Sequence, residues 1–571
     1  MTRQGIRVVA LACSLGTGLA GCGATPADVG PLADVIFFGS NIVTMDPNQP
    51  MVDAVAVRGE TITAAGAFDE VMAFRDASTR VVDLGDGALL PGFIDAHGHF
   101  LGAGRALDAL SLHSPPVGDV NNIDDIVRKI QEWIIKKGIR PGDAVTGRGY
   151  DDSLLTEGRH PTAEDLDRAS TDHPIVLTHV SGHLSAVNSS ALEASDITAD
   201  TADPAGGHIR RVEGSTQPNG VLEEGASRMI KVSRDSTRTP DETDALIRKS
   251  IDVYTAYGTT TIQDGGTDTQ FAEVLRGAAD REPLDADVAA FVRVGSMQDI
   301  EALQHEETYR GGFCVAGVKF MLDGSPQGRT AWVTEPYEEG PPGAGPDYRA
   351  YGTMDPELYK ARAAALIRRG VPFLAHANGD AAMDLMLDGV DEALADMDVA
   401  PDHRSVIIHA QLMRADQLDR AAVLNVVPSF FSAHAFFWGD WHRRSFGEER
   451  GNNVSPVRWA IDRGVNFTVH NDASIVPPDI MRLVSITVNR KTRSGHVLGP
   501  HQRATIQEAL HAVTLGAAYQ YFEEDTKGSI TVGKQADLVI LETNPLTTDP
   551  AQLEHIQILE TFSRGRSVHQ R

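Results

Sequence analysis

The chain has 571 residues, 42% of them hydrophobic and 23% charged, and a formal net charge of −28. That length exceeds one small domain, and the composition supports a sizeable core, so one large domain with a smaller companion is expected. The acidic balance excludes nucleic acid and anionic membrane faces as electrostatic partners, and its plain reading is solubility.

At the N-terminus, Arg3 and Arg7 precede an apolar run that is too short to span a membrane as a helix but suits a signal peptide over residues 1–21. Leu19-Ala20-Gly21-Cys22 resembles a bacterial lipobox, which would make Cys22 a lipidated first residue and 22–31 a flexible tether. The expectation is an exported protein, lipid-anchored on the periplasmic or extracellular side of a bacterial membrane. Of Cys13, Cys22 and Cys314, only Cys314 would remain free, so no internal disulfide can form.

Residues 32–90 read as short strands with tight turns, such as 33–38 and 54–57. The C-terminal stretch 529–571 has the same texture, with a strand at 536–541 and a turn at Ser563-Arg564-Gly565-Arg566. The two ends predict one small composite β-sandwich domain.

Between them, residues 91–528 alternate strands with helices. Asp355 can cap a helix that starts at Pro356, carries an apolar stripe at Leu358, Ala361, Ala365 and Leu366, and stops at Gly370. Such units imply a parallel sheet. The candidate strands are 92–97, 259–264, 286–294, 317–322, 373–376, 405–409, 425–429 and 466–472. They fit an α/β fold of the TIM (β/α)8 barrel type, with an open doubly wound sheet as the alternative. The first interval is far too long for a simple crossover, so about 105–245 should be an inserted subdomain.

Chemistry concentrates at strand ends. His97 and His99 alternate with Gly98 and point the same way on an extended chain, a spacing that can grip one metal ion. With 20 histidines in 571 residues, about 0.7 such pairs arise by chance, so position rather than spacing gives the pair weight. It ends a strand, where barrel active sites lie, as do His376, His409 and Asp472. A structural account of any single histidine is easy, but one that covers all these ends is not. Lys319 falls in the apolar run Val318-Lys319-Phe320-Met321-Leu322. A lone buried ammonium is costly unless paired or chemically altered, and a salt bridge remains one reading.

These stretches resemble the amidohydrolase superfamily, and within it the N-substituted formamide deformylase-like branch of amidohydrolase family 3. The resemblance runs from about residue 32 to 571. It is carried by Leu90-Pro91-Gly92-Phe93-Ile94-Asp95-Ala96-His97-Gly98-His99, Ser181-Gly182-His183, Lys319 with Asp323-Gly324-Ser325, His376-Ala377-Asn378-Gly379-Asp380, His409-Ala410-Gln411 and Gly533-Lys534-Gln535-Ala536-Asp537-Leu538. It implies that His97, His99, a carboxylated Lys319, His376, His409 and Asp472 hold one or two divalent metals, zinc being expected. The implied reaction is hydrolysis of an amide-type C–N bond by metal-activated water, with Asp472 moving the proton. His183 is a candidate for gripping the substrate carbonyl. Two departures fall near the expected pocket: Gly149-Tyr150-Asp151 in place of Gly-Trp-Asp, and Val469-His470-Asn471 before Asp472 in place of a Gly-Ser ending.

Two other readings remain. A mononuclear deaminase of this fold would carry a Glu three residues after His376, where the chain has Gly379. A non-catalytic solute-binding lipoprotein would be expected to have lost ligands. The partners expected are a small-molecule substrate, a membrane through the lipid at Cys22, and a second copy in a homodimer. Six of the twelve residues 430–441 are Phe or Trp. This loop after the seventh strand reads as the apolar wall of a substrate pocket or as a subunit interface.

Overall fold

The structure, a computed structural model, describes residues 32–232, 238–395 and 397–571. The signal segment, Cys22 and the whole of the tether lie outside the described residues.

The chain opens with β1 (Val35–Val43), β2 (Met51–Arg58), β3 (Thr61–Gly66), β4 (Arg80–Asp83) and β5 (Ala88–Pro91). After β6 (Phe93–Ile94) it builds β7 (Leu110–Ser111), β8 (Val145–Tyr150), β9 (Ile175–His179), β10 (Leu184–Val187), β11 (Gly207–Arg211) and β12 (Pro218–Glu224). Then come β13 (Thr259–Thr267), β14 (Asp287–Val292), β15 (Phe313–Met321), β16 (Phe373–Ala377), β17 (Val406–His409), β18 (Val427–Phe430) and β19 (Thr468–Val469). The chain ends with β20 (Leu538–Leu541), β21 (Ile558–Ser563) and β22 (Arg566–Gln570).

β5 pairs antiparallel with β20, so both ends of the chain share one sheet, in the order β22-β21-β20-β5-β1-β2-β3 with β4 beside β1. Three strand spacings of about 4.8 Å would separate β1 from β21 in a flat sheet, yet the rings of Phe37 and Phe562 lie 5.0 Å apart. The sheet therefore folds over on itself around a core that includes Ile42, Val55, Leu89 and Leu538.

β6 and β13 to β19 form a parallel sheet in chain order, the α/β arrangement expected of the middle region. Its edges curl together: Asp472 N donates to His97 O at 3.2 Å, and His99 N donates to Ala473 O at 2.5 Å. The first and last strands are much shorter than the spans 92–97 and 466–472 expected from the sequence. Their flanking amides bond elsewhere, as where Gly92 N donates to Asp537 O and Ile94 N to Val513 O.

Alternation along β15 and β16 sets what each residue faces. Val318, Phe320, Phe373 and Ala375 join the large outer core, whereas Leu374 joins a separate cluster with Phe291, Val406, Ile408 and Val427. Lys319 and His376 lie on the face opposite the outer core. Between β16 and the preceding strand, the helix Pro356–Arg368 is capped by Asp355, which accepts from Leu358 N at 2.9 Å. Its buried face is Tyr359, Ala363, Leu366 and Ile367, while Leu358 and Ala361 are exposed. The expected stripe is displaced because Tyr359 buries more area than Leu358 would and packs edge-on against Phe320 at 5.5 Å.

The long segment after β6 forms a second sheet, ordered β11-β12-β10-β9-β8-β7. It overhangs the strand ends that carry the histidines. Among the described residues, no helix is long and apolar enough to cross a membrane.

Candidate metal centre

Gly98 can be nothing larger, because a Cβ there would lie 2.5 Å from Asp95 Oδ2. Gly265 on β13 leaves the equivalent space for the His97 ring, since a Cβ there would lie 2.3 Å from the imidazole. His97 and His99 therefore converge, ring centroids 5.4 Å apart, beyond the short strand β6. His409 pairs with Ala377, which faces the outer core, so alternation would turn His409 outwards. Its left-handed backbone (φ 79) re-aims it, and Asp472 also adopts positive φ (53). Such strained non-glycine conformations persist where the surroundings over-determine them.

The expected ligands form one connected set. Lys319 Nζ lies 3.1 Å from His97 Nε2. Asp472 Oδ1 lies 3.7 Å from His97 Nε2 and 3.3 Å from His99 Nε2, and Asp472 Oδ2 lies 4.0 Å from His409 Nδ1. His409 Nε2 lies 2.9 Å from His376 Nδ1. Ligand atoms around a tetrahedral zinc are about 3.4 Å apart, and His97, His409 and Asp472, whose ligand atoms lie within 4.8 Å of one another, are the three of the set placed to share one cation.

Proton placement supports the same view. Gln263 Nε2 donates to Ala96 O, which turns its Oε1 to His97 Nδ1 at 2.5 Å, so the His97 proton sits on Nδ1 and Nε2 is free. Gly324 O can only accept, and at 3.0 Å it draws the His376 proton to Nε2, leaving Nδ1 free. Burial pushes His97, His376 and His409 well below the ordinary histidine range, keeping them in the neutral, ligating form. Burial acts to raise the pKa of Asp472, but the hydrogen-bonding and charge of His99 outweigh it and keep the carboxylate ionised. Its Oδ1 is nonetheless buried without a hydrogen-bond partner. Lys319 is pushed down to about 7, chiefly by burial. No carboxylate lies within ion-pair distance of it among the described residues, so the salt-bridge reading of Lys319 does not hold.

His183 comes from the inserted sheet and faces the centre, its ring 4.8 Å from that of His376. Glu224 Oε2 accepts from His183 Nδ1 at 2.8 Å. Burial opposes the charged ring, but Glu224 outweighs it and holds the His183 pKa above the ordinary value.

Sequence reasoning missed the supporting layer. His470 lies buried with Nε2 3.2 Å from His409 Nδ1 and Nδ1 2.8 Å from Ser429 Oγ. The departure Val469-His470-Asn471 was its only sequence signal. Asp323 accepts from the amides of Asn378 and Gly379 and fixes the turn after β16. A second buried group, Asp152, His160 and His179, lies in the insertion. There Ser181 N donates to His179 Nδ1, which leaves the proton on Nε2, directed at Asp152 Oδ1 at 3.0 Å. That is a hydrogen-bonded network and not a set of free metal ligands.

The aromatic loop divides. Phe430 is core; Phe431 stacks on His470 with centroids 5.2 Å apart; and Phe437 and Trp438 line a cleft with Val180, Asp151 and Ile475.

The chain and its fold have counterparts. A family model described as "Amidohydrolase family" matches residues 80–569. N-substituted formamide deformylase of Arthrobacter pascens is 27% identical over 94% of this chain and 98% of its own length. Protein LONG AFTER FAR-RED 3 of Arabidopsis thaliana is 27% identical over 95% of this chain and 92% of its own. The crystal structure of an uncharacterized metal-dependent hydrolase from Pyrococcus horikoshii covers 90% of this chain and 99% of its own with a TM-score of 0.70, at 22% identity, a likeness of fold. By the extent of the family match, this chain belongs to the amidohydrolase family.

Proposed function

We propose that the protein is a metal-dependent hydrolase of an amide-type C–N bond, in an N-substituted amide or formamide with an apolar substituent. Its parallel sheet is read as a TIM (β/α)8 barrel, and the folded-over terminal sheet, 32–90 with 529–571, as a β-sandwich. The observation that carries the reading is the buried, ionised Asp472 carboxylate, which lies 3.3 to 4.0 Å from ring nitrogens of His99, His97 and His409. His97, His99, Lys319, His376, His409 and Asp472 would hold one or two divalent cations, zinc being the expected one. Such a cation would supply Lewis-acid polarisation of the carbonyl and of water.

The chain's own groups do the rest. Asp472 Oδ1 accepts a proton from the attacking water and passes it to the leaving amine. His183, kept protonated by Glu224, donates to the carbonyl oxygen as negative charge develops there. His183 from the insertion and Phe431 cover part of the site, while the His99 ring stays half-exposed. The name of the Arthrobacter relative and the apolar cleft beside the centre support the substrate class. The deaminase alternative is disfavoured sterically as well as by sequence, because a Cβ at Gly379 would lie 1.8 Å from Trp332 O, leaving no room for a Glu.

The test is hydrolysis of an amide, formamide and carbamate series by zinc-loaded protein, read as amine release. Turnover that a chelator abolishes and zinc restores is expected. Tight zinc binding with no turnover of any member would favour the solute-binding reading. Export and a lipid anchor at Cys22 complete the proposal: Cys22→Ser should shift the protein out of the membrane fraction, and unchanged attachment would refute the anchor.

A further inference from the structure

His409 faces two ways. Its Nε2 lies 2.9 Å from His376 Nδ1, and its Nδ1 lies 3.2 Å from His470 Nε2. A neutral ring carries one proton, and the nitrogen that carries it has no lone pair for a cation. The neighbour at Nδ1 therefore decides how His409 serves the centre. Asp472 Oδ2, 4.0 Å from that atom, is beyond hydrogen-bond distance. His470 is within it.

His470 is built into the floor of the site. Its N donates to Phe430 O at 3.1 Å, which seats it beside the end of β18. The buried ring stacks on Phe431 and meets the His97 ring edge-on, centroids 5.3 Å apart. Its Nδ1 lies 2.8 Å from the Oγ of Ser429, which is also buried. Among the described residues no carboxylate comes within ion-pair distance of His470, so nothing compensates a charge there and the ring holds one proton. It also stands outside the set of His97, His409 and Asp472, whose ligand atoms lie within 4.8 Å of one another.

Two arrangements of protons satisfy the row from His376 to Ser429. In the first, Ser429 Oγ–H donates to His470 Nδ1, and His470 Nε2–H donates to His409 Nδ1. His409 then carries its own proton on Nε2, directed at His376, and neither of its nitrogens is free for a cation. In the second, His409 Nδ1–H donates to His470 Nε2, and His470 Nδ1–H donates to Ser429 Oγ. His409 Nε2 is then bare beside the bare His376 Nδ1, the form in which both can ligate. A half-turn of the His409 ring would bring Cε1 to the place of Nε2, and the hydrogen bond at Nδ1 opposes that turn.

We propose that His470 is a positioning residue of the centre: it accepts the Nδ1–H of His409, donates its own Nδ1–H to Ser429, and so fixes His409 as a ligand through Nε2. The inference rests on the metal-centre reading. It places a neutral imidazole where a carboxylate, backbone carbonyl or water commonly takes a ligating histidine's proton.

The experiment reads metal binding rather than turnover. Zinc affinity of the full-length protein is measured by competition with a chromophoric chelator. The cobalt-substituted protein is followed by its visible spectrum and by X-ray absorption. His470→Phe keeps the ring's shape and removes the acceptor, so zinc affinity should fall by about tenfold or more. His470→Gln returns an acceptor oxygen and should recover most of that loss and the wild-type cobalt spectrum. Ser429→Ala keeps the imidazole but removes its partner, and should weaken zinc less than His470→Phe does. It also carries the test if His470→Phe does not fold. Unchanged zinc affinity and cobalt spectrum in the folded variants would overturn the proposal. Equal weakening in His470→Phe and His470→Gln would also overturn it: with the number of imidazoles on cobalt retained, the ring serves packing, and with one imidazole lost, His470 is itself a ligand. Wild-type protein that binds no zinc would fail the metal-centre reading, and the proposal with it.

Discussion

Asp472 and Lys319 are both buried ionisable groups, and each is unsatisfied in its own way. The carboxylate is short of a partner for Oδ1, and the lysine has an imidazole nitrogen 3.1 Å away where a carboxylate would be expected. Burial depresses the Lys319 pKa to about 7, so a substantial fraction of the amine is neutral near neutral pH and able to add carbon dioxide. A carbamate there would be anionic and able to bridge two cations, which an ammonium cannot. Lys319→Ala should therefore lose activity by several orders of magnitude, with partial rescue by acetate or propionate. A high-resolution electron-density map with a bare amine at Lys319 in the zinc-loaded enzyme would contradict this.

At the scale of elements, the interior strands β13 to β18 were legible because short apolar runs between helical segments leave little choice of period. The ends of the sheet were not, because residues in and beside β6 bond to distant segments, Gly92 N to Asp537 O and Ile94 N to Val513 O, which no local pattern announces. The strand-end ligands were readable from position along the chain. Their supports were not: Gln263 reaches His97 across 166 residues, and Glu224 reaches His183 across 41. The helix after Asp355 was found with its cap, but its buried face was misassigned because Tyr359 was not weighed as an apolar residue. The aromatic loop carries the next prediction. Phe437 and Trp438 line the cleft, so Phe437→Ala or Trp438→Ala should raise KM for aryl amides at least tenfold and for small aliphatic amides far less. Equal losses for both substrate types, or a change of oligomeric state with activity per chain retained, would assign these rings to packing or to a subunit interface.

Over the whole molecule, the terminal sheet is tied to the central parallel sheet through a buried ionic knot. Asp287, at the start of β14, pairs with Lys527 Nζ at 2.7 Å and with Arg564 in the β21–β22 turn. Lys527 also pairs with Glu523 at 3.0 Å. Removing one member of such a group leaves uncompensated charge, so Asp287→Ala should destabilise the protein by about 3–5 kcal/mol, measured by denaturant unfolding. A loss below 1 kcal/mol would show that the knot is dispensable. Burial acts to raise the Asp287 pKa, but Lys527 and Arg564 outweigh it and hold it below the usual 3.8. The contribution is therefore complete above the ordinary carboxylate range and is lost as pH falls through the lowered folded value. Acid should loosen the join between the two sheets in the wild type, and Asp287→Ala should flatten that part of the stability profile.

The central claim is that the strand-end histidines and Asp472 form a single divalent-metal centre, and metal content tests it most directly. Purified wild-type protein equilibrated with zinc and dialysed should retain one or two equivalents per chain by elemental analysis. The double variant His97→Ala/His99→Ala, folded by circular dichroism, should retain less than about a tenth of that. Full occupancy in the double variant would place the metal elsewhere and contradict the account.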